Sequence, residues 1–291
     1  MKLLGSYING NYRVSIFDDG TKIRENGLDY FSPAAPESMD IKITNCCECG
    51  CPYCHEDSVP DGEHGKIMEA KFIDTLHPYT ELAIGGGNPL AHPELIPFLH
   101  RLKEQKVIAS MTVNQKHFLE SRDLIKSLAD DGLIHGIGVS LTGVTNELIA
   151  CLGDFPNAVL HVINGVVSVS EMRHLYDHGF KVLVLGYKEF RRGERFYSSS
   201  VENKKQDLFD ELPELVKHFK IVSFDNLAIR QLDVKRLMSE SDWNEFYMGD
   251  DGQFTMYVDM VKEEFAMGST ATERWPMQDD IKPMFEKIRS R

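Results

Sequence analysis

Met39-Asp40-Ile41-Lys42-Ile43-Thr44-Asn45-Cys46-Cys47-Glu48-Cys49-Gly50-Cys51-Pro52-Tyr53-Cys54 is the stretch from which the rest of the chain is read. Asp40 to Thr44 alternates polar and apolar residues, the period of a strand with one face buried. That strand runs directly into a loop holding five of the six cysteines, Cys46, Cys47, Cys49, Cys51 and Cys54, while Cys151 stands alone. A disulfide framework spreads its cysteines along the chain to close long loops. Crowding on one loop points instead to metal and to a reducing compartment.

Within the loop, Cys47, Cys51 and Cys54 have C-x3-C-x2-C spacing. Thiolates are the usual ligands of iron–sulfur clusters, and most clusters take four. Three on one loop hold three corners of a cubane and leave the fourth iron free. Zinc is a competing reading, because Cys46-x2-Cys49 and Cys51-x2-Cys54 are two C-x2-C pairs. Structural zinc sites, however, separate such pairs by about a dozen residues or more, and here only Gly50 intervenes. Redox-active thiols are a third reading.

Outward from the loop, strands are expected at 81–84, 107–113, 135–141, 158–163 and 180–185. Helices are expected at 66–76, 93–105, 118–130, from Thr145, and at 170–178. Strand and helix thus alternate six times, the signature of an α/β fold with a parallel sheet and outer helices. Six units predict a partial (β/α)6 barrel, since closure of this type takes eight. Ligands in such folds bind at the C-terminal strand ends, where the cysteine loop and the run Gly85-Gly86-Gly87 both lie.

Residues 1–35 read as a small β-hairpin appendage, with strands at 6–8 and 12–17 about Asn9-Gly10. Residues 36–200 form the core. Residues 201–291 form an α+β extension, with helices at 204–219, 226–238 and 282–288, a strand at 221–224, and a hairpin of 253–259 with 263–267. The formal net charge of −13 makes the chain a poor partner for nucleic-acid backbone or an anionic membrane. No stretch approaches the length of a membrane span, and the first residues lack a signal-peptide layout. A cytoplasmic protein is expected.

The cysteine loop resembles the signature of the radical SAM enzymes, C-x3-C-x-aromatic-C after the first strand of a partial six-unit barrel. Cys47, Cys51, Tyr53 and Cys54 match it, and the resemblance spans about residues 39–190. It implies a 4Fe–4S cluster on the three cysteines with S-adenosylmethionine at the open iron. It also implies reductive cleavage to a 5′-deoxyadenosyl radical, an external flavodoxin- or ferredoxin-like reductant, and sensitivity to oxygen. Tyr53 would pack near the adenine. Gly86, Gly87 and Pro89 match a G-G-E-P motif that meets the methionine amino group, with Asn88 in place of the glutamate. An asparagine can accept through its amide oxygen, without the charge.

By the same resemblance, Asn114, Ser140 and Asn164 end the third, fourth and fifth strands, at places that touch ribose, carboxylate or adenine. The backbone of Tyr187, in Gly186-Tyr187-Lys188, would face the adenine. The extension after residue 200 would cap the substrate, with Lys188, Arg191, Arg230, Tyr257 and Asp259 as candidate contacts. No catalytic residue beyond the cluster is identified. The implied substrate is a small, nucleotide-like or peptide molecule. Two alternatives stay open: a zinc-binding interaction protein, and a relative that binds S-adenosylmethionine without turnover.

Overall fold

A computed structural model describes residues 2–290. The large sheet is built from β4 (Ser38–Thr44), β5 (Glu81–Gly86), β6 (Ile108–Asn114), β7 (Gly136–Ser140), β8 (Ala158–Ile163), β9 (Lys181–Leu185), β10 (Ile221–Phe224), β11 (Thr255–Asp259), β12 (Glu264–Ala266) and β13 (Trp275–Pro276). A separate antiparallel sheet holds the earlier strands β1 (Leu3–Asn9), β2 (Tyr12–Phe17) and β3 (Lys22–Glu25). The order in the large sheet is β10-β9-β8-β7-β6-β5-β4-β11-β12-β13. All pairings from β10 through β4 to β11 are parallel, and β12 and β13 add antiparallel strands beyond. The six expected strands thus lie side by side in chain order. The extension adds β10 at one end and sets β11 against β4 at the other, Tyr257 opposite Asp40 and Asp259 opposite Lys42.

One face of this sheet makes the core. Met39, Ile41 and Ile43 of β4, Leu82 and Ile84 of β5, Met111 of β6 and Val139 of β7 are all buried, in one cluster with Phe98, Leu99 and Leu102 of the helix Leu95–Glu104. Parallel strands are usually apolar on both faces because helices cover both. From β4 to β7 the residues of opposite parity are mostly charged, polar or glycine, among them Asp40, Lys42, Ser110, Thr112, Gly138 and Ser140, whereas in β8 and β9 His161 is joined by Val159, Ile163, Leu183 and Leu185. Alternation in a parallel sheet indicates that only one face meets helices and that the other faces something polar.

The helix expected at 66–76 is instead irregular, with a short 3-10 turn over Lys71–Thr75. Its carbonyls are taken from outside: the Arg101 guanidinium donates to Met68 O at 3.1 Å and Ala70 O at 3.0 Å. The helix expected at 118–130 is two, Gln115–Glu120 and Arg122–Asp130, the first started by the Asn114 side chain accepting from Lys116 N. The stretch 170–178 holds only Val169–Met172 and a 3-10 turn. The stretch 226–238 breaks at Asp233, whose φ of 45° is left-handed. The first hairpin turns at Gly10-Asn11, with Asn9 opposite Tyr12, and carries the third strand β3. Among the described residues no helix is long and apolar enough to cross a membrane.

The small sheet is tied to the large one through Glu37, which is fully buried. Arg24 clamps it with two bonds, Nε to Oε1 at 2.8 Å and Nη2 to Oε2 at 3.0 Å. Tyr12 donates its hydroxyl to the same carboxylate, Lys22 lies 3.4 Å away, and the Arg24 guanidinium sits 3.7 Å over the Phe254 ring.

Candidate functional site

β4 delivers the cysteine loop at its C-terminal end. The loop is pinned on both flanks: Cys47 N donates to Val59 O, Asn45 N to Glu63 O, and Cys46 N to Thr44 Oγ1 at 3.0 Å. Cys46, Cys47, Cys49, Cys51 and Cys54 are half-buried free thiols, and Cys151 lies buried on the helix Asn146–Leu152. Burial raises the Cys47 and Cys51 thiols above their ordinary values. The negative charge of Cys54 adds to the rise at both, and that of Cys47 adds to the rise at Cys51. Three thiols of the C-x3-C-x2-C set therefore sit within electrostatic reach of one another. Such a set favours a cation, which lets them ionise together.

Cys49 stands beside this set and also meets His117. Its sulfur lies 3.2 Å from Nε2 of His117, which in turn lies 2.8 Å from Oε1 of Glu48. The ligand atoms of Cys47, Cys49 and His117 all lie within 4.8 Å of one another. Burial, with Cys47 and Cys51 nearby, pushes the Cys49 thiol up to about 12. His117 is buried on the helix that follows β6.

The glycine run packs against this loop. Gly87 N donates to Thr44 O and Asn88 N to Cys46 O, both at 2.7 Å. A Cβ on Gly87 would stand 2.3 Å from Cys46 O, and Gly86 holds a φ of 116°. These glycines let two strand-end loops touch backbone to backbone. The Asn88 oxygen accepts from Leu90 N at 3.2 Å, capping the 3-10 turn Pro89–Ala91. Gly87→Ala is expected to cost about 1–3 kcal/mol, the usual penalty of overpacking. Chemical denaturation measures this, and a loss under 0.5 kcal/mol (roughly the level of a surface change) would show that the contact yields freely.

At the other strand ends, Asn114, Ser140 and His161 are successive partners in the register of β6, β7 and β8, and so share one face. Asn114 Nδ2 approaches Cys51 Sγ at 3.5 Å. Burial pushes His161 down to about 4, so its imidazole is neutral at pH 7. The ring lies over Gly138, where a Cβ would meet His161 Cε1 at 2.4 Å. Asn164 is fully buried; its amide donates to Gln231 Oε1 at 3.1 Å, and its own oxygen has no partner among the described residues. Tyr187 is buried, its N–H also bonded to Gln231 and its hydroxyl to Gly193 O at 2.7 Å. The Tyr53 ring packs 5.7 Å from that of Phe196.

The five candidate substrate contacts separate. Lys188 lies beside the loop, its Nζ 3.0 Å from His55 Nε2 and 2.9 Å from Ser269 Oγ. Arg191 spends its guanidinium on His55 O at 2.8 Å, and the Asp259 carboxylate pairs with Lys42 at 3.4 Å and accepts from the turn amides of Val261 and Lys262. Tyr257 is buried under Arg274, whose guanidinium lies 4.8 Å from the ring centre. Arg230 is exposed on the helix Asn226–Gln231.

Three residues that the motif reading missed, His55, Glu56 and Lys42, complete an ion chain with Lys188. His55 Nε2 lies 3.2 Å from Glu56 Oε1, and Glu56 Oε2 lies 2.8 Å from Lys42 Nζ. Burial opposes ionisation of Glu56, yet His55 and Lys42 overcome it and hold the carboxyl well below its usual range. Burial, with Lys188, lowers His55 from its ordinary value. Asp40, also missed, stands outside that chain, its carboxyl pushed up to about 6 by burial. The available signal was parity: Asp40 and Lys42 are charges at alternate positions between Met39, Ile41 and Ile43.

No protein-family model matches the chain. A probable GTP 3′,8-cyclase of Methanocaldococcus jannaschii is 28% identical over 135 residues, which cover 44% of this chain and 44% of the cyclase. The chain therefore matches less than half of that relative's length. In fold the chain is similar to SuiB of Streptococcus suis bound to precursor peptide SuiA, with a TM-score of 0.60 and 13% identity, covering 89% of this chain and 68% of SuiB. SuiB bound to S-adenosylmethionine superposes with a TM-score of 0.56 and 14% identity, over 89% of this chain and 67% of that one. At these identities the likeness is one of fold. The similarities support the resemblance to radical SAM enzymes carried by Cys47, Cys51, Tyr53 and Cys54.

Proposed function

We propose that the chain is a radical SAM enzyme in which Cys47, Cys51 and Cys54 hold a 4Fe–4S cluster. The observation that carries this reading is the grouping of those three thiols at the end of β4, half-buried, unpaired by disulfides and within electrostatic reach of one another. Asn114, beside Cys51 Sγ, is placed to donate to a cluster-bound thiolate. When bound, the cluster supplies the electron that splits S-adenosylmethionine into methionine and a 5′-deoxyadenosyl radical.

In this reading the chain binds and orients the sulfonium cofactor. The loop of Gly86, Gly87 and Asn88 sets a wall against the cluster loop, and Asn88 meets the methionine amino group with whatever acceptor capacity Leu90 leaves. Asn114, Ser140 and Asn164 provide polar groups at successive strand ends, Tyr53 packs near the adenine, and the backbone of Tyr187 faces it. The polar face of the sheet suits the concave side of a partial (β/α)6 barrel. The division into an appendage at 1–35, a core at 36–200 and a cap at 201–291 carries over, with Lys188, Arg191, Arg230, Tyr257 and Asp259 kept as substrate contacts. A flavodoxin- or ferredoxin-like reductant, a small-molecule or peptide substrate, a cytoplasmic setting and oxygen sensitivity belong to the same proposal.

The test is anaerobic reconstitution with iron and sulfide, followed by dithionite and S-adenosylmethionine. 5′-Deoxyadenosine is the expected product. A protein that takes up zinc but neither iron nor sulfide would sink the proposal.

A further inference from the structure

Between the two flanks of the large sheet lies a cavity of about 230 Å³. Its walls come from the start of β4, the loop after β9, the end of β10, and the segments before and after β11 and β12. Three carboxylates line it, Asp40, Asp225 and Asp251, against the single cation Lys188.

The three carboxylates are unequal. Asp225 accepts from Gly186 N at 2.9 Å and Ala228 N at 2.6 Å, and so holds the start of a helix. Asp251 accepts from Asn226 Nδ2 at 2.8 Å. The Asp40 side chain has no hydrogen-bonding partner among the described residues, and it is solvent-accessible where it lines the cavity. None of the three forms a salt bridge among the described residues, and Lys188 is turned toward His55 and Ser269. Three carboxylates thus face one cation that is turned away, so the cavity has an excess of negative charge awaiting a counter-charge.

Part of the remaining wall is apolar and adaptable. Met248, Met256 and Met267 line the same space. Methionine side chains fit around irregular aliphatic groups. The volume falls below the roughly 300–1,000 Å³ of sites for drug-sized ligands, which suits one side chain better than a whole nucleotide. The charge also repels phosphate.

We propose that this cavity recognises the substrate through an aliphatic ammonium group, its methylene stem against the methionines and its charge at Asp40. The group belongs to a free alkylamine or to a lysine side chain of a peptide. This rests on reading the chain as an enzyme whose substrate is held between the sheet flanks.

The test is calorimetric titration of the full chain, reconstituted anaerobically, with four probes. Two carry the ammonium, 1,5-diaminopentane and acetyl-lysine methylamide. Acetyl-norleucine methylamide is the neutral isostere, and acetyl-glutamate methylamide is anionic. The ammonium probes are expected to bind at least about tenfold more tightly than the other two. The tighter ammonium probe identifies the source, the diamine for a free amine and the lysine derivative for a peptide. Asp40→Asn should bring the ratio of lysine to norleucine binding close to unity at an unchanged thermal midpoint, and Asp251→Asn should lower it severalfold. Equal binding of norleucine and lysine probes, no binding of any probe, or an undiminished ratio in Asp40→Asn would each overturn the proposal. The wild-type ratio needs no variant to fold. S-adenosylmethionine binding in the same samples keeps the two readings apart: its loss with the ammonium preference intact counts against the radical reading alone.

Discussion

Cys51→Ala is expected to strip the chain of bound iron and sulfide and to lower 5′-deoxyadenosine formation by at least ~100-fold, since even outer partners of metal ligands cost about 10–100-fold in affinity or activity. Cys49→Ala provides the contrast. Cys49 lies outside the C-x3-C-x2-C set and faces His117 and Glu48, so its loss should leave iron, sulfide and product within about threefold of wild type, the scatter of context-dependent effects. Metal analysis and product assay on the pair decide the register. If Cys49→Ala behaved as Cys51→Ala, the ligands would be drawn from the grouping of Cys47, Cys49 and His117, and the cubane reading would fall.

The second large effect lies far from the cysteines. Glu37→Ala is expected to destabilise the protein by about 3–5 kcal/mol, the range for breaking a buried ion pair from one side. Arg24 is itself nearly buried, with 12% of its side chain exposed, so removing Glu37 leaves a cation that water reaches poorly, while Lys22 keeps Glu81 at 2.6 Å. Glu37→Gln should cost less, because an amide oxygen still accepts from Arg24 and Tyr12. Urea denaturation measures both, and a loss below about 1 kcal/mol for alanine would place Glu37 among ordinary surface pairs.

The motif chemistry was legible in the sequence because it is local. Strand, cysteine loop and glycine run are contiguous, and the six alternating strands lie in the sheet in chain order. What was hidden depends on distant partners. The helix expected near Ile67 yields to the Arg101 guanidinium, which periodicity does not register. Lys188, His55, Glu56 and Lys42 come together from three segments. Arg191 is expected as a substrate contact, yet its guanidinium serves the loop that follows the cysteines. Asp40 and Lys42 were visible as letters, but their meaning needed the finding that one face of a parallel sheet is polar.

The pairing of β4 with β11 carries a consequence for how the protein is made. Residues 38–42 wait for 255–259, more than two hundred positions later, before the edge of β4 is covered. Such remote contacts raise contact order and slow folding. At about 5–20 residues per second on the ribosome, the cysteine loop emerges roughly ten to forty seconds ahead of the strand that steadies its base. Its thiols are thus presented to metal and oxygen before their scaffold exists, and assembly of a metal centre is best timed after release of the chain.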